Sequence, residues 1–381
     1  MKFSCERSVL LKEIAIAQEI VASKNAISIL SHIHLEAENN TLSIKSTDLK
    51  VHFETRVPVV VIEPGAASVI GDKFLGILNS IPDGELEFEQ SEGKTTIRPT
   101  ARKIHFQLKS AASDEYPDFP VPAEEGFFTL PVRDFKQMIA QTVFAVSDDE
   151  TRYYMNGVLF EKQDGKLVMV GTDGRRLAYI ENVLGDAIQD FAGVIVPPKI
   201  LNLIMRRAGD EGELAIAVTE RTIFIRFGSY NLSSVIIEGT FPSYQRVIPE
   251  SQSFVFTVNR FEMLDALRRV SILAEQKSHR MFVKIASGVL SVYTEESDIG
   301  TAKEEIPARY EGEEVSIALN YRYIEEPFKV MSANEISMHF TDPMKALTIK
   351  PAVSETAEDA DEEAVPESAI TFFHIVMPMN L

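Results

Sequence analysis

LKEI at residues 11–14, FKQM at 135–138 and FEML at 261–264 stand 124 and 126 residues apart, and each opens a stretch with helical spacing. Leu11, Ile14, Gln18 and Val21 recur as one helix face does, as do Phe135, Met138, Ile139 and Thr142, and again Phe261, Leu264, Leu267 and Val270. A second set keeps the same interval: Lys73-Phe74-Leu75 and Lys199-Ile200-Leu201 lie 126 apart, and Arg322-Tyr323-Ile324 follows 123 later. Thr47-Asp48 and Thr172-Asp173 are 125 apart, as are Tyr116-Pro117 and Phe241-Pro242. No single pair decides anything, but their common spacing does. The chain carries three copies of one plan, divided as 1–125, 126–250 and 251–381.

Between the helical stretches the sequence alternates as strands do. Glu85-Leu86-Glu87-Phe88-Glu89 puts acids on one face and apolar side chains on the other. Ile104, Phe106 and Leu108 line one side of another strand, and Ile223, Ile225 and Phe227 a third. The expected fold is α+β, with two helices per repeat packed on antiparallel sheets. Pro327 falls inside the last helical stretch, which should therefore start late or kink.

A length of 381 residues exceeds what one core usually serves, so two or three domains are expected. MKFSCER has no apolar core behind it, and no apolar run spans a bilayer, so neither a secretory signal nor a membrane partner is expected. The single cysteine, Cys5, excludes an internal disulfide and fits a reducing, cytoplasmic setting. Net charge is −19, of which seven acids fall in the low-complexity stretch 351–368, read as a solvated, disordered insert. The helical stretches 6–24, 72–81, 132–144, 198–208, 259–273 and 320–331 run against this trend, with 14 basic and 9 acidic residues. Related helices that are positive on an acidic body fit a shared face around a polyanion as well as ordinary helix surface.

Catalytic and metal motifs are sparse. Neither common phosphate-binding glycine loop occurs, nor HExxH or CxxC, so no cofactor is expected. His32 and His34 share a strand face but have no further ligand at metal spacing, so no metal site is expected there. Asp148-Asp149-Glu150 reads as a loop before it reads as a Mg²⁺ site. Gly171-Thr172-Asp173-Gly174-Arg175-Arg176 is either a phosphate cradle or a tight turn between strands; Thr47-Asp48-Leu49, in the same place without glycine, favours the turn. The chain then ends on HIVMPMNL, residues 374–381, an apolar plug after an acidic segment where termini are usually polar.

The repeat, the basic helices and this terminus together resemble the bacterial DNA polymerase III β-subunit, or sliding-clamp, family. The resemblance covers essentially the whole chain. It rests on MKF at the start, Arg152-Tyr153-Tyr154-Met155-Asn156-Gly157, Thr172-Asp173-Gly174, Phe241-Pro242-Ser243-Tyr244-Gln245-Arg246-Val247 and Val376-Met377-Pro378-Met379. It implies a DNA-clamp fold, a ring-shaped head-to-tail homodimer round double-stranded DNA, no catalysis, and partners that include a clamp loader and DNA polymerases.

The resemblance also implies sites. Lys24, Lys73, Lys199, Arg206 and Arg207 would face DNA, with Tyr153 and Tyr154 able to stack on unpaired bases. A pocket for short linear peptides with a Gln and a Leu-Phe-like apolar end would use Met155, Thr172, Gly174, Arg175, Arg176, Leu177, Pro242, Arg246 and Val247 from the second repeat. The third would add Met344, Ala346, Val376, Met377, Pro378, Met379 and Leu381, with Arg176 and Arg246 serving the peptide's polar groups. The dimer contact would pair an edge strand, Ile104, Phe106 and Leu108, with Ile272 and Leu273, aided by Glu304 and Glu305. Arg175 stands where His is common in the family, Asn380 where a base is common, and the insert 351–368 replaces a shorter link. Two rival classes remain: an enzyme with a phosphorylated ligand at Gly171–Arg176, and a repeat-built shell protein. A closed dimer separates the clamp from both.

Overall fold

The computed structural model describes residues 1–21, 28–185, 188, 190–352 and 370–380. Lys24, Leu381 and the insert from residue 353 lie outside the described residues. The three repeats appear in order. The first holds β1 (Lys2–Glu6), α1 (Arg7–Ile20), β2 (His32–Glu38), β3 (Thr41–Thr47), β4 (Val51–Pro58), β5 (Val60–Glu63), β6 (Gly65–Ile70), α2 (Gly71–Ser80), β7 (Glu85–Ser91), β8 (Lys94–Pro99) and β9 (Phe106–Ala111). The second holds β10 (Phe127–Pro131), α3 (Val132–Thr142), β11 (Val158–Gln163), β12 (Lys166–Thr172), β13 (Arg176–Val183), β14 (Val194–Val196), α4 (Pro198–Arg207), β15 (Glu213–Val218), β16 (Thr222–Phe227) and β17 (Tyr230–Val235). The third holds β18 (Phe254–Asn259), α5 (Arg260–Val270), β19 (Arg280–Ala286), β20 (Val289–Tyr293), β21 (Lys303–Arg309), β22 (Val315–Asn320), α6 (Tyr321–Val330), β23 (Glu335–Phe340), β24 (Leu347–Pro351) and β25 (Ile370–Val376). Among the described residues no helix is long and apolar enough to cross a membrane.

Two compact units cut across these repeats. One joins Met1–Val132 with Arg206–Ile236; the other joins Arg133–Met205 with the chain from Ile237 on. The first unit's sheet runs β10-β15-β16-β17-β4-β3-β2-β6-β9-β8-β7-β1-β5, and the second's runs β14-β11-β12-β13-β25-β24-β23-β18-β21-β20-β19-β22. The second repeat therefore lends β10 and β15–β17 to one sheet and β11–β14 to the other. In the first unit β17 pairs antiparallel with β4, with Leu232 opposite Phe53; in the second β25 pairs with β13, with Ile375 opposite Leu177.

The local sequence explains most of these elements. Two-residue turns of positive φ, Asn39-Asn40 and Asp164-Gly165, join β2 to β3 and β11 to β12, as the strand twist requires. Asn259 caps α5 by accepting from the amides of Phe261 and Glu262, and Asn320 caps α6 through Arg322. Stacked Phe3 and Phe88, 4.8 Å apart, anchor the first core, and fully buried Phe256, Phe328 and Phe340 the last. The alternation of Glu85–Glu89 holds, with Leu86 and Phe88 buried.

Four expectations need correction. The buried residues of α1 are Leu10, Glu13, Ile14, Ile16, Ala17 and Ile20, a face one position round from the stripe through Leu11 and Gln18. Two stripes share Ile14, and burial of Glu13, whose Oε1 accepts from Tyr230, decides between them. Phe261 is 55% exposed, because α5 buries Met263, Ala266, Leu267 and Val270 and leaves the ring under Arg260. Of the two effects expected of Pro327, a late start does not occur: α6 begins at Tyr321 on its Asn320 cap and continues past the proline. Lastly, β9 starts at Phe106, and it is an edge only in part: Lys94–Ile97 pair with Phe106–Lys109, while β6 reaches only Ser110 and Ala111. Ile104, Phe106 and Leu108 are half-buried and alternate with exposed neighbours along that open side.

Candidate functional site

The Gly171–Arg176 segment is a turn from β12 to β13. Asp173 Oδ1 accepts from the amides of Arg175 (2.8 Å) and Arg176 (3.1 Å), and the Thr172 hydroxyl donates to the Arg176 carbonyl (2.6 Å). Gly174 takes φ of +87°, which glycine adopts without strain. The amides that would have cradled a phosphate already hold the chain's own carboxylate, so the turn reading prevails. Gly171 is needed for another reason: a Cβ there would lie 2.4 Å from the Thr142 carbonyl at the end of α3.

β25 lies beside this turn and continues the sheet. Strand alternation sends Leu177 and Ile375 to one face, where they join Leu159, Val168, Val170 and Tyr244 in an apolar cluster. Tyr179 stacks on Phe373 at 4.8 Å on the same side. The cluster floors a cavity of about 220 Å³ lined by Met155, Thr172, Gly174, Arg175, Arg176, Leu177, Pro242, Ser243, Tyr244, Val247, Ile375 and Met377. Val247 is 48% and Met377 42% exposed at its edge. A small apolar cavity with part-exposed hydrophobic side chains around it suits a short apolar segment of another chain better than a polar metabolite.

The predicted pocket residues divide. Val376 lies in the third repeat's core, and Ile375, which was not predicted, lines the cavity instead. Period-two alternation in HIVM, applied from Met377, would have found it. Tyr244 and Ser243, both within the FPSYQRV motif, also line it without having been expected there. Among the described residues Arg246, Met344, Ala346, Pro378 and Met379 are not part of the lining. Arg246 and Met344 are exposed, Ala346 packs beside the apolar cluster, and the Met379 amide donates to the Ala318 carbonyl (2.8 Å). Arg176 is committed elsewhere, to Asp173, Phe144 and Glu326.

Polar groups behind and beside the cavity are tightly held. Tyr244 donates to Glu161, and burial with that carboxylate raises its phenol above the usual range. His374 is fully buried with Nε2 on Gln141 Oε1 (2.9 Å), and burial, aided by the Arg176 charge, pushes its imidazole down to about 3. His374 thus stays neutral in the fold but charges in the unfolded chain below about 6.5. Its contribution to stability is complete above that pH and is lost as pH falls toward 3, at up to about 1.4 kcal/mol per pH unit. The expected NMR titration shows no protonation midpoint for His374 above pH 5.

The residues expected to face DNA are placed as follows. Lys73 is exposed and 3.2 Å from Asp72; Lys199 is exposed on α4. Arg206 and Arg207, at the end of α4, both pair with Glu19 of α1. Tyr153, 53% exposed, and Tyr154 meet edge-on at 5.8 Å on a 3₁₀ stretch. Asp149 caps that stretch and holds Arg152, a structural use that leaves Asp148-Asp149 in a loop and Glu150 as the first residue of the 3₁₀ stretch. His32 and His34 are buried, with Nδ1 atoms on the Ser28 carbonyl and the Ser68 hydroxyl. Among the described residues no group of three or more His, Cys, Asp or Glu is placed to hold a metal.

The residues expected at a dimer contact also keep intrachain partners. Ile272 is 77% exposed beside half-buried Leu273, but Glu304 pairs with Arg269 and Glu305 with Lys303, so both carboxylates are engaged within the chain.

Comparison with known proteins covers the whole chain. Family models described as the DNA polymerase III beta subunit match in three parts: N-terminal domain at residues 1–120, central domain at 129–243 and C-terminal domain at 245–361. The beta sliding clamp of Treponema pallidum is 43% identical over 384 residues, covering 100% of both chains, and that of Escherichia coli K12 is 28% identical over 383, again covering 100% of both. A sliding clamp from Pseudomonas aeruginosa, solved bound to griselimycin, has a TM-score of 0.90 at 26% identity and covers 100% of each chain. A sliding clamp from Bacillus subtilis gives 0.90 at 26% identity, covering 100% of this chain and 99% of its own.

Proposed function

This chain belongs to the DNA polymerase III beta-subunit family, the beta sliding clamps, and from that premise we propose that it encircles duplex DNA in the cytoplasm and tethers DNA polymerases without catalysing a reaction. The observation that carries the tethering role is the apolar cavity between the Thr172–Leu177 turn, the FPSY segment and β25. A partner would insert a short peptide ending in apolar side chains, and exposed Arg175 and Arg246 would meet its polar groups. Polymerase held this way acts at a raised effective concentration on the template, with no additional hold on the DNA itself. A clamp loader would open and close the ring. The deciding experiment is retention on nicked circular DNA after loading, with release when the circle is cut; a chain that stays on the linear product is not acting by encirclement.

The head-to-tail homodimer is the reading that the open strand edges support. β17 closes on β4 and β25 on β13, and β9 and β21 are the third pair in the same places. Within one chain β18 bonds only Thr257 and Val258 to β21, leaving its first half open as β6 leaves that of β9. Net charges are opposite: Arg98, Arg102 and Lys103 outnumber Glu87 in a groove beside β9, and Glu275, Glu295, Glu296 and Asp298 outnumber Arg280 in one near β21.

On the DNA face, Glu19 holds Arg206 and Arg207 and competes with phosphate for them. Replacing Lys73, Lys199, Arg206 and Arg207 with Ala should cut loading about tenfold or more and leave the dimer intact. Glu19→Gln should act the other way, tightening duplex binding and steepening its log–log salt dependence by about 0.9 for each further phosphate neutralised. Fluorescence anisotropy across a salt series checks both.

A further inference from the structure

Arg176 borders the peptide cavity but its side chain works on the opposite face of the sheet. Along β13, Leu177 faces the cavity, while Arg176 lies opposite Val376, which belongs to the third repeat's core. The Arg176 side chain is only 11% exposed. Its Nε donates to Asp173 Oδ2 (3.1 Å), one terminal nitrogen to the Phe144 carbonyl (2.6 Å), and the other to Glu326. The guanidinium carbon sits 4.6 Å from the Tyr323 ring centre and 5.6 Å from that of Phe144. Every nitrogen of the fork is therefore already donating within the chain, and both aromatic contacts come from outside the cavity.

We infer that Arg176 is a positioning residue and not a ligand for the partner peptide: it fastens the Thr172–Arg176 turn, one wall of the cavity, to α6 through Glu326 and Tyr323 and to the end of α3 through Phe144. The inference rests on the cavity being a peptide site. Its content is that side chains on α6, none of which lines the cavity, set the cavity's shape. Glu326 is then a determinant of partner affinity although it touches no partner. The planar fork matters, since a lysine ammonium offers one point charge where three separated acceptors and two rings are engaged.

The test is binding of a short fluorescent peptide carrying Gln and a Leu-Phe end, measured by anisotropy on the full chain. Arg176→Ala and Glu326→Gln should each weaken binding roughly tenfold, and the double variant should be no weaker than either, as coupled neighbours behave. Arg176→Lys should not restore affinity. Replacing the peptide's Gln with Ala should weaken binding by the same factor, within about twofold, in the unaltered chain and in Arg176→Ala. A silent Glu326→Gln, or a Gln effect that disappears in Arg176→Ala, would make Arg176 a direct ligand and overturn the inference. If Arg176→Ala fails to fold, Glu326→Gln and Tyr323→Leu decide the same question from α6. Failure of the unaltered chain to bind the peptide would remove the peptide-site reading and this inference together; binding with a silent Glu326→Gln removes this inference alone.

Discussion

Deleting Met377–Leu381 is expected to weaken binding of a polymerase-derived peptide roughly 30- to 1,000-fold, the 2–4 kcal/mol typical of a hot spot. The cut falls just beyond β25, so every pairing of that strand with β13 and β24 is kept. What goes is Met377, 42% exposed at the cavity with its amide on the Arg175 carbonyl, and the segment anchored by Met379 to Ala318. An unbranched thioether there can repack around different apolar partners, and nothing left in the truncated chain replaces it. Sedimentation should still report a dimer. Peptide affinity within threefold of the intact chain would mean that the terminus closes the sheet and does nothing more.

The second large effect concerns assembly. Ile272→Ala with Leu273→Ala should give monomers at concentrations where the unaltered chain sediments as a dimer, since Ile272 is 77% exposed with no other evident role. The repeats also fix a register. Ile44, Met169 and Val292 each stand four residues past a two-residue hairpin turn, and they pair with Thr55, Ile180 and Glu304. Tyr230 and Phe372 sit opposite Thr55 and Ile180, and we take Ile104, two residues before β9, as their counterpart in the first repeat. Across the dimer Ile104 should then face Glu304 of the other copy, and Phe106 should face Ala302. Phe106→Cys combined with Ala302→Cys should cross-link two chains on mild oxidation, because directly opposed residues lie about 4.5–5.5 Å apart. The only native thiol, Cys5, is buried, which keeps the background clean. Cross-linking favoured by Lys303→Cys over Ala302→Cys would refute the register, and monomers from both would refute the contact.

Much of this was legible before the structure because periodicity is local. The six helices, the alternating strand at Glu85–Glu89 and the turn at Gly171–Arg176 are written in spacings of two to four residues. The direction of Arg176 was not, since a residue's neighbour on the far face comes from α6, some 150 positions away. The same limit hid the division of the second repeat between two sheets, which depends on β17 choosing β4 and β13 choosing β25. Within α1, two helical stripes fit the sequence about equally, and only the pairing of Glu13 with Tyr230 separated them. Ile375 at the cavity is a different matter, because the alternation that places it on the same face as Met377 was present in the last eight residues.

The placement of β25 has a consequence for how the chain is made. Among the described strands it is made after all the others, yet it lies in the interior of its sheet, joining β13 on one side to β24 on the other. Until it arrives, β11–β14 and β18–β24 have no hydrogen-bonded strand between them. At 5–20 residues per second, the roughly 190 residues from Val183 to Ile370 take about 10–40 s to emerge. Throughout that time β13 presents an open apolar edge to the cell, while the first unit's sheet is complete once β17 has been made. The nascent second unit is therefore the part most exposed to aggregation and most in need of a chaperone. A frameshift or stop codon a few residues before Ile370 would leave a chain that is nearly full length but cannot close its second sheet.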